Sequence, residues 1–560
     1  MKLNGAQIIC ESLIAEGVSI VFGHPGGAVL PLYNALYEYP ELRHVLVRHE
    51  QGGSHAAEGY ARATGAVGVC MATSGPGATN MVTGLQAAKM DSVPMVAITG
   101  QVVRSMLGKE GFQEADTLSI TKSATKKNYL VMEAKDLAQT IFDAFREAQS
   151  GRPGPVLIDV PRDVQQELTE FSYPPRVRPQ DPAVRSKEDP NILEAARLVN
   201  SAERPVIIVG HGVHISQAWD QLQTLAELAD IPVANTLHGV GAFPRSHSLS
   251  LGMMGMHGIY STNLAVDQAD LILGVGLRFD DRVVGREGSF SPHAKVIHIE
   301  VDPGQIEKMV KTEVALVGDA RTKLMELTTH VNPGEHTGWR QSIQRLTEDH
   351  PCIVPPGSKL TCQYVLQELS LLLGEQEDFV VVTGVGQHQM WAAQFLEVDK
   401  PNSFLSSGGL GVMGYEIPAA MGAQLGRPEA AVWSIAGDGG FQMTVQELAT
   451  IASEKLPVKI ALINNGELGM VRQWQELFYD EHYKAVKLQG PDYVKLSEAY
   501  GIPALRIDSN DDVRSVLKQA QNHDGPFLLE FVVNSQENVY PMVAPGKSLG
   551  ETIEDPRLSI

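Results

Sequence analysis

Short continuous apolar runs alternate with helical patterns along the first part of the chain. The runs in residues 1–165 read SIVFG, VLVRHE, GVCMAT, PMVAITG and PVLIDVP. Uninterrupted apolar runs are typical of strands that are buried on both faces and connected by helices. The pattern therefore predicts a parallel sheet with helices on both faces.

The same alternation returns twice further along the chain. Residues 191–335 contain PVIIVG, DLILGVG and KVIHIEVD, and residues 361–535 contain FVVVTGVG, AVWSIAGDGG, VKIALINN and PFLLEFVV. Residues 166–190 lose the pattern and gain prolines, which predicts a linker, and residues 333–360 form a second irregular stretch. We therefore predict an α/β chain of three doubly wound parallel-sheet domains.

Both ends of the chain fall outside this alternation. The last segment, residues 536–560, is polar and contains glycine and proline, which predicts an extended tail that lies over a site. The first segment, MKLNGAQIICESLIAEG, lacks the features of a secretory signal. It predicts a helix capped near Asn4 with Ile9 and Leu13 on its inner face.

Bulk composition narrows the class of protein. The chain has 560 residues, with 43% hydrophobic and 20% charged residues, as in ordinary globular proteins. Its net charge of −21 argues against nucleic acid or an anionic membrane surface as a partner. There is no apolar run long enough to span a membrane. Four cysteines without paired or metal-type spacing indicate a reducing compartment, which we take to be the cytoplasm.

Polar side chains follow two neighbouring strands of the third region. Asp438 comes directly after VWSIAG, and Asn465 comes after VKIALIN. Ligands bind parallel sheets at the carboxyl ends of the strands, and carboxylate and amide oxygens suit Mg²⁺. Gly439 and Gly440 would let backbone N–H groups approach a diphosphate. Glycine, aspartate and asparagine are also common in any βαβ turn, but the GDG to NN spacing makes that alternative the weaker one.

The first region offers a carboxylate and two glycine-rich turns. Glu50 lies at a strand-to-helix corner, where a carboxylate is also favoured simply by the helix dipole. The turns GHPGG, which includes Gly26, and SGPGATN could cradle a phosphate or be tight turns only. Phe112 and Gln113 lie in a loop, where Phe112 could line a substrate site or pack on its own domain.

The middle region has the rhythm of a nucleotide-binding fold without its fingerprint. Gly210 and Gly212 follow one strand and Gly276 follows another, but neither segment satisfies GxGxxG. Glu300 ends a third strand, where an acidic side chain commonly binds a ribose hydroxyl. Charges at strand ends also occur in any α/β sheet.

Two further segments of the third region suggest a cofactor chamber. GVGQHQMW places His388 in a strand-to-helix turn, where it could act as a base or be structural. Met413 stands between glycines in SGGLGVMGYE, an unusual place for a core methionine. Met470, Val471 and Trp474 have helical spacing, which favours core packing, although this helix starts at the predicted metal site.

Taken in order, the motifs RHEQGG, FQEAD, RFDDR, GVGQHQMW, GLGVMG, GDG to NN and GMVRQWQ resemble the FAD-containing acetohydroxyacid synthases (acetolactate synthases). These are enzymes of the thiamine diphosphate (ThDP) family. The resemblance covers nearly the whole chain. It implies a pyrimidine-binding domain at 1–165, a central FAD-binding domain at 191–335, a diphosphate-binding domain at 361–535 and a tail at 536–560.

The resemblance also implies roles for individual residues. Glu50 would hydrogen-bond N1′ of the ThDP aminopyrimidine, and Met413 would wedge beneath the two rings. Mg²⁺ would be held by Asp438, Asn465 and the main-chain carbonyl of Glu467. The remaining ThDP contacts would be Gly26, Val385, Gly386, Gln387, His388, Gly411, Gly437, Gly439, Gly440 and Met470. Segments equivalent to 257–282 and 300–319 would wrap FAD. The FAD contacts would be Arg152, Gly210, Gly212, His257, Gly276, Arg278, Asp280, Arg282, Glu300 and Asp319. Substrate contacts would be Phe112, Gln113, Arg278 and Trp474.

The activity implied is decarboxylation of pyruvate and transfer of its two-carbon unit to a second 2-keto acid. The family is expected to form homodimers or homotetramers with shared active sites, in some cases with a regulatory small subunit. A flavin-dependent pyruvate oxidase is the alternative enzyme, and a catalytically inactive scaffold is the non-enzyme alternative. Glyoxylate carboligases lack the glutamate found here at position 50. Glu416 departs from the small residue expected in the family.

Overall fold

The computed structural model describes residues 1–175, 189–354, 357 and 359–557. The predicted linker at 166–190 and the irregular stretch at 333–360 therefore lie partly outside the described residues. The domain limits given above stay a prediction.

The N-terminal region is built on a six-stranded sheet with the order β3-β2-β4-β5-β7-β6, in which every pair is parallel. A separate antiparallel pair joins β1 to β8. The strands are β1 (Lys2–Asn4), β2 (Ile20–Gly23), β3 (Arg43–Leu46), β4 (Gly68–Ala72), β5 (Met95–Gln101), β6 (Lys127–Leu130), β7 (Pro155–Pro161) and β8 (Leu168–Glu170). The helices are α1 (Gly5–Ala15), α2 (Leu30–Leu36), α3 (Glu50–Thr64), α4 (Pro76–Asn80), α5 (Val82–Asp91), α6 (Thr117–Thr121), α7 (Leu137–Gln149) and α8 (Arg162–Gln166).

The middle region repeats this architecture with the order β11-β10-β9-β12-β13-β14, again all parallel. The strands are β9 (Pro205–Val209), β10 (Val233–Asn235), β11 (Ser250–Met253), β12 (Leu271–Val275), β13 (Lys295–Glu300) and β14 (Val314–Val317). The helices are α9 (Pro190–Ser201), α10 (His211–Ile215), α11 (Trp219–Ala229), α12 (Tyr260–Gln268), α13 (Asp281–Val284), α14 (Ala320–Thr328) and α15 (Thr337–Asp349).

The third sheet has the order β16-β15-β17-β18-β20-β19 and is also all parallel. The strands are β15 (Phe379–Thr383), β16 (Phe404–Ser406), β17 (Ala431–Gly437), β18 (Lys459–Asn464), β19 (Ala504–Ile507) and β20 (Phe527–Val532). The helices are α16 (Cys362–Gly374), α17 (Gln387–Phe395), α18 (Glu416–Gly426), α19 (Asp438–Met443), α20 (Leu448–Glu454), α21 (Gly469–Phe478), α22 (Tyr493–Ala499) and α23 (Val513–Gln521). The predicted α/β fold with three parallel sheets is confirmed.

The structure corrects the prediction in the two stretches between domains. Residues 337–349 were expected to be irregular, but they form helix α15, which anchors to the middle domain through buried Trp339 and Ile343. Two apolar side chains in a polar helix give too weak a periodic pattern to recognise in the sequence. Within the predicted linker, residues 168–170 pair with β1.

The N-terminal and C-terminal regions share one core through helices α3 and α18. A Cβ atom added to Gly59 would lie 2.1 Å from the Ala419 carbonyl oxygen, and one added to Gly422 would lie 1.8 Å from that of Ala56. Only glycine fits at these two positions, so the helix backbones approach closely. Buried residues of both helices belong to the same hydrophobic cluster.

The tail lies on two domains rather than only over a site. Its first residues receive hydrogen bonds from α17 and α21, because Gln387 donates to the Glu537 carbonyl and Gln473 donates to the Val539 carbonyl. Further along, Val543 and Leu549 join the hydrophobic core of the middle domain.

Candidate active site

A pocket opens at the carboxyl ends of β15, β17 and β18, where the sequence predicted the cofactor chamber. It is lined by residues from the turns that follow these strands and from the loop before α18. The lining consists of Val385, Gly386, Gln387, His388, Trp391, Met413, Gly437, Asp438, Gly439, Gly440, Ile463, Asn465, Glu467, Leu468, Gly469, Met470 and Val471. Twelve of these were expected to contact ThDP or Mg²⁺.

The predicted metal ligands meet at this edge. Asp438 is the first residue of α19 and is only 3% exposed. Burial raises the pKa of Asp438 to about 7, and none of the groups acting on that pKa among the described residues is a cation. A buried carboxylate without a counter-ion fits a site for a divalent cation. The Asn465 side-chain oxygen accepts the Glu467 N–H at 3.0 Å, which shapes the turn between these two residues.

Glu467 is not available as a side-chain ligand. Its carboxylate lies 3.3 Å from the buried Arg472 guanidinium. The role expected of Glu467 as a main-chain ligand is compatible with this pairing.

Glycines leave room for a ligand beside the metal residues. A Cβ atom on Gly439 would lie 2.9 Å from the Leu468 side chain and 3.3 Å from the Met413 methyl group. The walls are therefore so close here that any side chain would fill the cradle. Helices α17 and α19 both begin at this cradle and direct backbone N–H groups toward it. This arrangement suits a diphosphate.

His388 lies under the pocket as a neutral imidazole. Burial lowers the pKa of His388 to about 4. Its Nε2 atom has no hydrogen-bond partner among the described residues. A neutral, unpartnered ring can donate to a ligand, whereas the low pKa makes it a poor base near neutral pH.

Helix α21 confirms the core packing expected from its apolar spacing only in part, because Met470 alone of the three apolar residues packs against a hydrophobic cluster. Its buried face is polar, because Arg472 and Gln473 are 2% and 0% exposed and bind the tail. Met470 and Val471 both line the pocket. Trp474 is partly buried one turn beyond Met470, in edge-to-face contact with Phe478.

A second cluster of predicted residues lies at the carboxyl edge of the N-terminal sheet, outside the pocket. Glu50 begins α3 and accepts a hydrogen bond from Asn80 at 2.9 Å. Thr73 lies against both Gly26 and Gly77, and Gly77 adjoins Glu50. The Gln113 backbone packs on Gly75 nearby, while Phe112 is 90% exposed. In one chain, therefore, Glu50 does not line the pocket that contains Asp438.

A carboxylate that the sequence analysis missed fixes the helix carrying Glu50. Glu447, fully buried in the C-terminal domain, accepts the N–H groups of Arg48 and His49, each at 3.0 Å. Burial raises the pKa of Glu447, and hydrogen bonds from Thr450, Arg48 and His49 oppose that shift. This contact spans 399 residues of sequence, so no local pattern indicates it.

Part of the predicted flavin set gathers at the carboxyl edge of the middle sheet. Burial, with a smaller contribution from Arg278, lowers the pKa of Arg152. Burial raises the pKa of Glu300, and Arg152 opposes that shift. Arg152 therefore lies within electrostatic reach of both Arg278 and Glu300. Arg278 also pairs with Asp280 at 3.2 Å.

The other members of that set have structural partners of their own. Asp280 and Asp319 cap helices α13 and α14. Gly212 donates its N–H to the Gly276 carbonyl at 2.9 Å, and Gly210 donates to the Val275 carbonyl. The nearby positive charge of Arg282 and, above all, burial lower the pKa of His257, to about 4.

The loop before α18 contains Gly411 and leads to Glu416, the first residue of the helix. Glu416 is fully buried against Gly384 and Gly440, and burial raises its pKa to about 7. Gly411 adopts a left-handed conformation with φ of 74°, two residues before Met413. Its nearest atom, measured from an added Cβ, is in the Val385 side chain at 3.9 Å.

Comparison with protein families decides between the interpretations of this geometry. The models for the N-terminal, central and C-terminal domains of thiamine pyrophosphate enzymes match residues 3–120, 192–327 and 384–531. The chain belongs to the thiamine pyrophosphate enzyme family. The pocket lies within the C-terminal match and Glu50 lies within the N-terminal match. Thiamine pyrophosphate is another name for thiamine diphosphate, so the predicted cofactor is confirmed.

Among thiamine pyrophosphate enzymes, the chain is similar to several acetolactate synthases. It is 50% identical to the large subunit IlvB1 of Mycobacterium tuberculosis, covering 98% of this chain and 91% of the relative. Identity to the large subunit of Corynebacterium glutamicum is 48%, over 98% and 89% of the two chains. The chloroplastic acetolactate synthase 1 of Nicotiana tabacum is 44% identical, over 99% and 85%. The resemblance to acetolactate synthases is confirmed.

Within the described ranges, none of the helices combines the length and the apolar character that crossing a membrane requires.

Proposed function

We propose that this chain is an acetolactate synthase. It decarboxylates pyruvate and joins the resulting two-carbon unit to a second 2-keto acid, either pyruvate or 2-ketobutyrate. The products are 2-acetolactate and 2-aceto-2-hydroxybutyrate, which serve the synthesis of valine, leucine and isoleucine. The observation that carries the proposal is the pocket at Asp438, Asn465 and the glycine turns, in a chain whose curated relatives are named acetolactate synthases.

The pocket fits a diphosphate and a divalent cation. Asp438, Asn465 and the Glu467 carbonyl would hold Mg²⁺, and the starts of α17 and α19 would bind the diphosphate. When bound, ThDP supplies a nucleophilic carbon and an electron sink for loss of carbon dioxide. Met413 and Met470 supply apolar walls. The neutral His388 ring supports the diphosphate end by donating a hydrogen bond.

Glu50 would hold the proton on the cofactor's aminopyrimidine ring. A carboxyl group beside N1′ of that ring would make the cofactor more reactive by general acid–base catalysis. Because Glu50 and Asp438 belong to separate clusters in one chain, we propose that two copies complete each other's sites. A homodimer is therefore the smallest active form, and a homotetramer is compatible with it. A regulatory small subunit would be an additional partner.

The middle domain, together with Arg152 of the N-terminal domain, would bind FAD. Arg152, Arg278 and Glu300 provide two guanidinium groups for phosphates and one acid for a ribose hydroxyl. Burial and, to a smaller extent, the positive charge of Arg278 lower the pKa of Arg152, and two neighbouring guanidinium groups suit an anionic ligand. His257, Asp280, Arg282, Asp319 and the three glycines stay as proposed contacts.

The acceptor keto acid would be bound near the flavin edge. Arg278 is the proposed partner of its carboxylate, since a guanidinium pairs with a carboxylate through two hydrogen bonds. Trp474, together with Phe112 and Gln113 from the second copy, would line the space for its alkyl group. Localisation in the cytoplasm completes the proposal.

One assay separates this function from that of a pyruvate oxidase, which the comparisons do not favour. The protein is supplied with pyruvate, ThDP, Mg²⁺ and FAD, and acetolactate, acetate and oxygen are measured. We expect acetolactate without matching oxygen uptake, and little loss of turnover when FAD is replaced with a redox-impaired analogue. Acetate formation with equal oxygen consumption, abolished by the analogue, would reject the synthase.

A further inference from the structure

All three domains meet at the segment 406–409, which leads into the loop before α18. Asp91, the last residue of α5, is 3% exposed and turns its carboxylate toward this segment. Its two oxygens accept the backbone N–H groups of Gly409 at 2.7 Å and Gly408 at 3.3 Å. A Cβ atom on Gly409 would lie 2.5 Å from the Asp91 carboxylate, so this approach requires glycine.

The surroundings of this carboxylate favour its ionised form. Burial alone would raise the pKa of Asp91, but His238, Arg62 and the Gly409 N–H more than offset it and hold the pKa below its usual range. The His238 Nε2 atom lies 3.1 Å from an Asp91 oxygen. Charge-assisted hydrogen bonds of this kind are stronger than neutral ones.

Neighbouring groups fix the same segment from other sides. Arg62 donates to the Ser406 carbonyl and also lies 3.1 Å from the His238 ring. The Asp91 carbonyl in turn accepts from the His211 ring at 2.7 Å. Asp91 is therefore held by the middle domain while it holds the C-terminal domain.

The held segment leads directly to the pocket. Val412 donates its N–H to the Ser407 hydroxyl at 3.1 Å, and Met413 lines the pocket. Gly411, whose backbone has a left-handed conformation, lies between Gly409 and Val412. The position of Met413 thus depends on the short glycine-rich stretch before it, and the Asp91 carboxylate fixes the start of that stretch at Gly408 and Gly409.

We propose that Asp91 is a positioning residue for the ThDP site, setting the backbone from Gly408 to Met413 from another domain. This inference rests on the proposed roles of Gly411 and Met413. Nothing in the contact requires Asp91 to touch the cofactor. Its loss would release the loop and misplace the apolar wedge, while the metal site at Asp438 would keep its own residues.

The test compares Asp91→Asn with a matched control, Asp270→Asn. Asp270 also accepts two consecutive backbone N–H groups, those of Glu203 and Arg204, each at 2.9 Å, but it lies in the middle domain away from the pocket. In the cofactor-free protein, we expect amide hydrogen exchange in residues 406–415 to rise at least tenfold in Asp91→Asn and to stay unchanged in the control. This readout does not depend on any bound ligand.

The second readout uses the bound cofactor. At saturating ThDP and Mg²⁺, exchange of the thiamine C2 proton is followed by magnetic resonance, and we expect at least a tenfold decrease in Asp91→Asn only. Unchanged C2 exchange in a folded Asp91→Asn protein would overturn the proposal, even with a lowered melting temperature. If Asp91→Asn does not fold, the same measurement is made on His238→Gln. Slower C2 exchange in that variant would support the proposal, and unchanged C2 exchange would contradict it. Wild-type protein that fails to bind ThDP would reject the cofactor assignment itself.

Discussion

Replacing Glu447 with alanine tests how the helix that carries Glu50 is anchored. The carboxylate is the acceptor for the N–H groups of Arg48 and His49, across the contact between two domains. Thr450 also donates to it, but the Thr450 hydroxyl has the Leu46 carbonyl at 3.3 Å as a second acceptor. The alanine variant therefore leaves two backbone donors without a partner.

The expected cost follows from these two donors. A buried donor that loses its acceptor costs about 1–3 kcal/mol, which gives roughly 2–6 kcal/mol for the pair. Burial raises the pKa of Glu447, which means that burying its charge is unfavourable. Removing the carboxylate removes this unfavourable energy and offsets part of the cost. We therefore expect the free energy of unfolding to fall by about 2–4 kcal/mol in Glu447→Ala. Glu447→Gln, which keeps one oxygen acceptor, should lose about 1 kcal/mol.

Urea unfolding followed by circular dichroism measures both values, and Glu454→Ala is the control. Glu454 pairs with Arg43 at 2.6 Å across the same domain contact, but the two side chains are 23% and 50% exposed. Such an exposed pair contributes only about 0–1 kcal/mol. If Glu447→Ala proves no more destabilising than Glu454→Ala, the anchoring role is refuted. Increased amide exchange at Arg48 and His49 would locate the loss.

Four further outcomes are expected. Glu50→Gln should keep ThDP binding but lower turnover by about 10²-fold or more, and near-normal C2-proton exchange would contradict the role of Glu50. Asp438→Ala should weaken Mg²⁺ and ThDP binding together in calorimetry, and unchanged ThDP affinity would place the metal elsewhere. Trp474→Leu should keep acetolactate formation but lose roughly 10-fold or more of the preference for 2-ketobutyrate over pyruvate, read as a product ratio alongside thermal melting. Burial raises the pKa of Asp159 from 3.8 to about 7. The folded protein therefore holds this proton more tightly than the unfolded chain does. The resulting contribution to the free energy of unfolding is fully present below the unfolded pKa and is lost as the pH rises through about 7. Asp159→Asn cannot ionise, so its unfolding free energy relative to wild type should increase between pH 4 and 7, and a pH-independent difference would refute the shift.

The apolar runs and the chemistry at strand ends were predictable because both are local. Each run named in the sequence became a strand, and Asp438 and Asn465 meet at one edge as their spacing indicated. The strands that were not recognised are short, such as β10 and β16 with three residues each. So few residues give no pattern that separates a strand from a loop.

The contacts between domains could not be predicted from one sequence. Glu447 and Asp91 reach backbone N–H groups 399 and 318 residues away, respectively, and neither lies in a recognisable motif. The buried polar face of α21 was missed for the same reason. Its polar residues Arg472 and Gln473 are buried because the tail supplies carbonyl and amide partners for them.

The position of the tail has a consequence for the order in which the protein is made. The core of the middle domain includes Val543 and Leu549, although its sheet and α15 are complete by Asp349. A chain emerging from the ribosome has therefore synthesised the entire C-terminal domain before it can close the middle one. Until Val543 and Leu549 have been synthesised, the apolar side chains that pack with Val206 and Trp339 stay partly exposed to solvent. Folding of the middle domain consequently depends on residues that are synthesised after the C-terminal domain, and a nascent chain stalled before residue 543 exposes part of this apolar core to chaperones.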